Sequence, residues 1–367
     1  MSALTRTANP DPTSPGSKEE SLYSCIRGAV AEALSDRDGC EITAYEITDV
    51  CHRYFSEVAF ITVATDRGIR RLVAKTIVHH RDNKSISERE NQSVVEFRTL
   101  EHLYPRFQEI TGCSVCRPIA ILPEYDTVIL EFVEGHMLDR DLTAARHFAG
   151  RGRFKTAAEN FRLVGKWLRH FHEFSGFLHA DATCLESIVA NCAFRLGLLI
   201  ENGDPRIPAG LEKRVMAGIR KQQELLDGQE FLLTGVHADF GPWNILANSS
   251  GVTALDFFGC GKDLLPTNIV SLLLSLEREK WCMTASTKRI SRLQNMFLTG
   301  YGQLPPLQEE VLRLCETYCR ICTALDSLNT VHDKSHRKIE KHFWLKTNLK
   351  WLVDSERQEL LLSTRRA

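Results

Sequence analysis

Hydrophobic and polar positions divide the chain into a front part with β-type runs and a rear part with helical spacing. Residues 58–65 (VAFITVAT) and 70–78 (RRLVAKTIV) are rich in Val, Ile and Thr and enclose a turn at 66–68, which predicts a β-hairpin. Apolar side chains recur at helical spacing in 91–104 and predict a helix. Residues 118–133 predict two further strands joined by a turn.

From residue 139 onward the apolar positions follow helical spacing almost throughout. The predicted helices lie at 161–172, 209–226, 265–279, 288–300, 306–330 and 337–362. Short β-like segments interrupt this pattern only around 236–246 and 252–258. The rear part is therefore predicted to be a helical region with a small β insertion.

The order of these elements predicts an α+β fold with two lobes. Residues 1–17, dominated by Pro, Ser, Thr and Asn, are expected to form a disordered tail. Residues 18–134 are expected to form a small β-rich N-lobe, which opens with a helix after a capping box at Ser17–Glu20. Residues 135–367 would form a larger helical C-lobe, and a cleft between two lobes is a common place for a ligand.

Composition narrows the classes of function. The chain has 367 residues, 43% of them hydrophobic and 25% charged, with a formal net charge of −1. This balance lacks the basic excess of a typical nucleic-acid-binding protein. The longest apolar run, near 269–276, is shorter than the roughly 20 residues that span a bilayer, and the N-terminus lacks the apolar region of a secretion signal. We therefore expect a cytoplasmic protein without nucleic-acid or membrane partners; nothing in the pattern specifies an oligomeric state.

Twelve cysteines in a chain without a secretion signal are expected to be reduced thiols. Two C-x-x-C pairs, Cys113/Cys116 and Cys319/Cys322, have the composition of a four-thiolate zinc site. However, Cys315, Cys319 and Cys322 also fall at i, i+4 and i+7, which favours packing along the buried stripe of a helix.

The stretch VHADFGPWNIL at 236–246 contains the pattern H-x-D-x-x-x-x-N. Gly and Pro between Asp239 and Asn244 predict a loop, and the apolar residues that follow predict two short strands joined by a turn at 248–251. Asn244 would enter this hairpin and Asp256 would leave it. Both side chains are therefore expected at the same end of the hairpin, with Asp239 just upstream.

These side chains have the chemistry for phosphoryl transfer. The amide oxygen of Asn244 and the carboxylate of Asp256 suit Mg²⁺, a hard cation that prefers oxygen ligands. Asp239 would then accept the proton of a hydroxyl nucleophile. His237 is included among the catalytic-loop residues, with a hydrogen-bonding role that braces the loop.

The remaining parts of such a site are expected upstream. A strand lysine, Lys75, would reach nucleotide phosphates, and Glu96 on the next helix would hold it. The connector at 130–135 (LEFVEG) is suited to present backbone groups to an adenine edge. By contrast, HHRDN at 79–83 lacks an Asn five residues after its Asp and is interpreted as a solvated loop.

Each candidate also has a plain alternative. Lys75 alone fits a surface lysine and Glu96 alone fits a solvated helix position, with Glu90 and Glu101 nearby. Trp243 fits either contact with an acceptor or packing under the loop. The ordered occurrence of all the parts is what favours the functional interpretation.

HADFGPWNIL followed by VTALDFF resembles the aminoglycoside phosphotransferase and choline kinase-like family, which shares the protein-kinase-like fold. The resemblance spans roughly residues 40–330 and is most specific at 236–257. It implies the following roles: Asp239 as catalytic base, Asn244 and Asp256 as Mg²⁺ ligands, Lys75 and Glu96 as the phosphate-binding pair, and Glu131 to Val133 as the hinge.

Two departures from the family pattern stand out. No glycine-rich loop precedes Lys75, since residues 50–57 read VCHRYFSE, so other backbone groups would have to cover the phosphates. Asn268 stands where the family usually has Asp, and a neutral amide is expected to hold loop N–H groups less strongly than a carboxylate.

The function these features predict is an ATP- and Mg²⁺-dependent phosphotransferase, with a hydroxyl of a small molecule such as an aminoglycoside, choline or a sugar as acceptor. Two alternatives stay open. One is a nucleotide-binding pseudokinase or regulatory module, favoured by the two departures. The other is a kinase that acts on a protein or another macromolecule.

Overall fold

The computed structural model describes residues 15–53, 56–78, 91–181, 184–282, 284–328, 335–354 and 359–362. The first helix begins at Pro15, so the last three residues assigned to the tail are helical. Residues 1–14 and the HHRDN stretch at 79–83 lie outside the described residues.

The chain forms two compact units. Within the described residues, the first unit comprises the chain up to Pro105, Val115–Val133 and Phe257–Gly259. The second comprises Arg106–Ser114, Glu134–Asp256 and the chain from Cys260 onward.

The first unit is built on an antiparallel sheet with the strand order β1-β2-β3-β6-β5. The elements up to this sheet's last strand are α1 (Pro15–Asp38), β1 (Ile42–His52), β2 (Ser56–Thr65), β3 (Gly68–Ile77), α2 (Gln92–Phe107), β4 (Cys113–Val115), β5 (Pro118–Leu122) and β6 (Thr127–Glu131). The predicted hairpin, the helix at 91–104 and the strand pair in 118–133 are confirmed as β2–β3, α2 and β5–β6.

Helix α1 covers this sheet because its apolar stripe packs against it. Ile26, Val30 and Leu34 are buried in one cluster with strand residues such as Ile61 and Ile129. Burial of such side chains stabilises a fold by about 1.5–3 kcal/mol each.

The second unit is mainly helical. Its remaining elements are β7 (His136–Met137), α3 (Asp139–Leu142), α4 (Arg151–Ser175), β8 (Leu178–Ala180), α5 (Leu185–Glu201), α6 (Leu211–Leu226), β9 (Phe231–Val236), β10 (Ile245–Asn248), β11 (Gly251–Ala254), β12 (Gly261–Leu264), α7 (Thr267–Glu279), α8 (Thr287–Tyr301), α9 (Glu309–Leu328) and α10 (Ser335–Val353). Two small sheets accompany the helices, with the orders β4-β11-β10-β7 and β12-β9-β8.

Most of the predicted helices of the rear part are confirmed, as α4 and α6 to α9. The predicted helix at 337–362 is too long, because α10 ends at Val353. Leu360 and Leu362, which follow it in the chain, are buried outside the helix. Helix α5 and the strand β1 were not predicted.

Helices α4 and α8 approach each other through two glycines. A Cβ atom at Gly165 would overlap the carbonyl oxygen of Phe297, and one at Gly300 would overlap the carbonyl oxygen of Arg162. Any larger residue at either position would force the two helices apart.

The cysteines are free thiols in the described part of the chain. Cys315 and Cys319 are buried on α9, which confirms core packing for these two. Burial raises the pKa of the Cys113 thiol to about 11 and that of Cys116 to about 12. No cluster of three or more His, Cys, Asp or Glu side chains suited to a metal ion occurs among the described residues.

Over the same residues, no helix combines the length and apolar character needed to cross a membrane.

Candidate active site

The hairpin β10–β11 forms as expected and carries the candidate metal ligands at one end. Its register pairs Ile245 with Ala254 and Asn248 with Gly251. At the open end, the carbonyl oxygen of Asn244 accepts the backbone N–H of Leu255 at 2.9 Å. Asn244 is thus held beside the residue that precedes Asp256.

The Asp239 carboxylate lies against Asn244 and Trp243. Its Oδ2 accepts the Asn244 Nδ2–H group at 2.9 Å and the Trp243 Nε1–H group at 3.0 Å. Asn244 Nδ2 also donates to the Asp239 carbonyl oxygen at 2.9 Å. Because both of these neighbours are acceptors, the amide nitrogen must face them, and the Asn244 Oδ1 atom therefore faces the other way.

Asp256 has an unusual backbone conformation. Its φ angle is 68°, in the left-handed region that few residues other than glycine adopt. Asp and Asn tolerate this region better than most side chains do, but the conformation still stores strain. Strained residues of this kind cluster at functional sites.

His237 is buried and braces the loop from inside. Its Nδ1 accepts the backbone N–H of Asp239 at 3.3 Å, and its Nε2 donates to the carbonyl oxygen of Leu255 at 2.8 Å. Both ring nitrogens are therefore engaged with the backbone on either side of the site, which is the geometry expected of a brace.

Helix α7 also holds the same loop by hydrogen bonds. Asn268 Oδ1 accepts the His237 N–H at 2.9 Å, while Asn268 Nδ2 donates to the His237 carbonyl oxygen at 2.8 Å. One turn later, Ser271 Oγ donates to the carbonyl oxygen of Phe240 at 3.2 Å. The neutral Asn268 thus makes two bonds to the loop, one of which a carboxylate could not make.

A stack of aromatic side chains packs against the loop. The Phe240 ring stacks on Trp167 of α4 at 5.7 Å between centroids, and Trp167 stacks in turn on Phe107 and Phe171. Trp167 Nε1 donates to the carbonyl oxygen of Ser114 at 2.9 Å, so its polar atom is satisfied although the ring is buried.

The first unit contains the predicted lysine–glutamate pair. Lys75 Nζ lies 2.9 Å from Glu96 Oε2, and the Glu96 side chain is only 1% exposed. The nearby alternative Glu101 instead pairs with Arg37 at the surface, at 3.2 Å. Glu90 lies outside the described residues.

Glu96 has a second partner. Its Oε1 accepts the backbone N–H of Phe257 at 3.1 Å, and Lys75 Nζ lies 5.1 Å from the centre of the Phe258 ring. One buried carboxylate therefore orients both the lysine and the segment that directly follows Asp256 in the chain.

The predicted hinge residues differ in which backbone groups they leave available. The N–H of Glu131 bonds to the carbonyl oxygen of Arg117, and that of Phe132 bonds to the carbonyl oxygen of Arg71, both at 2.9 Å. Within the described residues, the N–H of Val133 makes no such bond. Of the three residues predicted to form the hinge, Val133 is thus the one whose N–H group forms no backbone hydrogen bond in this part of the chain.

Sequence reasoning missed two contacts of α7: that of Ser271 with the Phe240 carbonyl oxygen and that of Arg278 with the Trp243 ring. Arg278 lies over the Trp243 ring, with its Cζ atom 5.9 Å from the ring centre. Asn268, Ser271 and Arg278 are spaced by three and seven residues, so they share one face of the helix. That spacing is visible in the sequence and was the available signal.

Comparisons with known proteins support the fold. No protein-family model matches the chain, and no curated protein matches it in sequence. A solved structure of glucosamine kinase with glucosamine, ADP and phosphate superposes with a TM-score of 0.57 at 15% identity, covering 92% of this chain and 86% of that one. Choline kinase from Cryptosporidium parvum Iowa II gives 0.55 at 13% identity, over 91% and 97% of the two chains. A choline/ethanolamine kinase family protein from Mesorhizobium loti gives 0.51 at 15% identity, over 93% and 99%.

The chain therefore has the protein-kinase-like fold of small-molecule kinases, with a β-sheet N-terminal region and a larger helical C-terminal region. This confirms the predicted fold class and the predicted likeness to choline kinases.

Proposed function

We propose that this protein is an ATP- and Mg²⁺-dependent phosphotransferase that acts on a hydroxyl group of a small molecule. The observation that carries the proposal is the Asp239 carboxylate. One of its oxygens is held by the Trp243 and Asn244 N–H groups, while Oδ1 accepts no hydrogen bond within the described residues. Its position on a kinase-like loop supports a role as the base that takes the acceptor's proton.

The donor set at the hairpin fits a magnesium ion. Asn244 turns an amide oxygen away from Asp239, and Asp256, which directly follows the Leu255 bonded to Asn244, would add a carboxylate. One carboxylate and one amide suit a cation that takes its other ligands from water and from nucleotide phosphates. When bound, Mg²⁺ would neutralise charge that develops on the phosphates.

Nucleotide binding is assigned to the first unit. Lys75, fixed by Glu96, would hold the phosphates as a point charge, and the Val133 N–H would meet the adenine edge. Arg53 N donates to the Ser56 carbonyl oxygen at 2.8 Å where a glycine-rich loop would lie. This N–H group is thus already bonded and is not free to cover the phosphates.

We base the proposed acceptor class on the structural neighbours and on the charge. Glucosamine and choline are small hydroxyl-bearing molecules, and the enzymes named for them share this fold. A net charge of −1 gives no reason to expect a nucleic-acid partner.

The test is a panel of hydroxyl metabolites, amino sugars, amino alcohols and antibiotics, scored by ADP release with Mg²⁺-ATP. Asp239→Asn is the blank. Acceptor-dependent release that the blank lacks would support the proposal. Nucleotide binding without turnover on any acceptor would instead favour a pseudokinase, and phosphate on a co-purified polypeptide would favour a macromolecular acceptor.

A further inference from the structure

The indole of Trp243 occupies a specific position beside the proposed base. Trp243 lies in the short turn Pro242–Asn244, and its Nε1–H group points at Asp239 Oδ2 from 3.0 Å. The side chain remains 37% exposed. Burial of the ring alone therefore does not account for its placement, and the charge-assisted hydrogen bond to the carboxylate does.

Gly241 makes this position possible. A Cβ atom at Gly241 would overlap the indole, lying 2.6 Å from both its Cε2 and Cη2 atoms. The φ angle of Gly241 is −155°, which any residue can adopt, so the glycine is required for space and not for backbone conformation. The indole thus folds back across Gly241 to reach Asp239.

Arg278 of α7 also contacts the ring. Its guanidinium lies over the indole and is itself directed by two carboxylates, Asp326 at 3.5 Å and Glu340 at 3.8 Å. A cation over a tryptophan face stabilises the contact by about 0.5–1 kcal/mol at exposed sites. The loop and α7 together therefore restrict the rotation of the indole.

We propose that Trp243 is a positioning residue that fixes the rotation of the Asp239 carboxylate; this inference rests on the function proposed above. The indole N–H and the Asn244 amide together hold Oδ2, which leaves Oδ1 to face the acceptor hydroxyl. In the reaction, that hydroxyl gives its proton to Oδ1 while its oxygen bonds to the γ-phosphorus. The bond from the γ-phosphorus to the β,γ-bridging oxygen breaks, and ADP leaves with the electron pair.

The test compares Trp243→Phe, Gly241→Ala and the double variant. Trp243→Phe keeps an aromatic ring but removes the donor, and Gly241→Ala keeps the indole but displaces it. Each is expected to lower kcat roughly 10- to 100-fold, with the KM for ATP unchanged, because a misplaced reacting group slows chemistry without weakening ground-state binding. Since both changes remove the same hydrogen bond, the double variant should be no slower than the worse single variant.

Two matched controls are available in the chain. Trp281→Phe alters another exposed tryptophan, and Gly197→Ala adds a methyl group where nothing lies within 4 Å. Both should retain the wild-type kcat. Melting temperatures of all variants show whether the fold is intact.

A second readout is independent of turnover. In a ¹⁵N–¹H spectrum of the five indoles, the resonance missing in Trp243→Phe belongs to Trp243. Asp239→Asn should move that resonance more than the others, because the charged acceptor is lost.

The outcomes separate the two proposals. An active wild type with an unchanged kcat in Trp243→Phe, or multiplicative losses in the double variant, overturns the positioning role and leaves the proposed function standing. A wild type that transfers phosphate to no acceptor overturns both. A Trp243 indole resonance that does not shift in Asp239→Asn rules out the hydrogen bond itself.

Discussion

Asn268 and His237 are joined by two hydrogen bonds that run in opposite directions between one side-chain amide and one peptide unit. Asn268 is 2% exposed, so neither bond competes with bulk water. The sequence predicted that an amide here would hold the loop less strongly than a carboxylate. The structure shows that the amide also makes a second contact: it donates to the His237 carbonyl oxygen, which an ionised carboxylate could not do.

Asn268→Asp is therefore expected to destabilise the protein. At neutral pH the new carboxylate would face the His237 carbonyl oxygen, and a buried unsatisfied group costs about 1–3 kcal/mol. The difference from wild type in the free energy of unfolding should shrink as the pH falls, since a protonated carboxyl can donate to that oxygen. Urea unfolding between pH 4 and 8 measures this, with the exposed Asn295→Asp as control. A difference that grows at low pH would contradict the assignment.

Lys75→Met should destabilise the first unit. It would leave the buried Glu96 carboxylate without its cation, and breaking a buried pair in this way costs about 3–5 kcal/mol. Adding Glu96→Gln should restore part of the loss, because the uncompensated charge is removed. Urea unfolding of the two single variants and the double variant gives the coupling, with the exposed Lys288→Met as control. Strictly additive effects would mean that the pair is not coupled.

Asp239→Asn should abolish most of the phosphotransferase activity while the loop stays folded. The substituted amide can still accept the Trp243 and Asn244 N–H groups through its oxygen, so the hydrogen bonds at Oδ2 survive. Loss of a general base lowers kcat by roughly 10²–10⁴-fold. Steady-state ADP release and a thermal melt measure the two properties. A drop in melting temperature as large as that of a core substitution would point to a structural role.

Asp256→Asn and Asp256→Ala separate metal binding from backbone strain. Both should lose the additional thermal stabilisation that Mg²⁺ gives over ATP alone, because the carboxylate ligand is gone. Only the alanine variant should also lose stability without ligand, by about 1–2 kcal/mol, since alanine fits poorly at a φ of 68°. Equal Mg²⁺-dependent stabilisation in wild type and Asp256→Asn would remove Asp256 from the metal site.

His172 should make stability depend on pH in the acid range. Burial, assisted by Arg169, lowers its pKa to about 3, so the folded protein keeps the ring neutral where the unfolded chain protonates it. A depressed pKa gives stability that is present above the unfolded value of about 6.5 and is lost as the pH falls towards 3. The contribution declines by about 1.4 kcal/mol per pH unit in that window.

The measurement is the pH slope of the free energy of unfolding between pH 4 and 6.5. His172→Phe should flatten this slope even though it also removes the 2.9 Å contact with the Tyr301 hydroxyl. His170→Gln, which replaces a partly exposed histidine that bonds to Glu173 on the same helix, is the control for loss of an imidazole. An unchanged slope in His172→Phe would contradict the prediction.

The sequence was informative where local pattern and chemistry agree. Runs rich in Val, Ile and Thr around a turn predicted β2–β3, and the turn at 248–251 predicted the hairpin that brings Asn244 beside Leu255. By contrast, β1 has no fully buried position, and α5 exposes Phe194 and Leu198, which blurs its apolar stripe. Periodicity is a weak signal in both segments.

Local sequence patterns did not predict the contacts between elements that lie far apart in the chain. The rotation of the Trp243 indole depends on space at Gly241 and on Arg278, which follows 35 residues later in the chain. Such a rotamer is selected by packing, which residue spacing along one segment does not encode. The same holds for the second bond of Asn268.

Gly165 and Gly300 allow α4 and α8 to touch backbone to backbone, and α4 also carries Trp167, on which Phe240 of the proposed catalytic loop is stacked. A single methyl group at either glycine would shift α4, and with it the Trp167 ring that supports the loop. Two positions that have no side chain thereby limit how far this sequence can change before the proposed reaction centre is displaced.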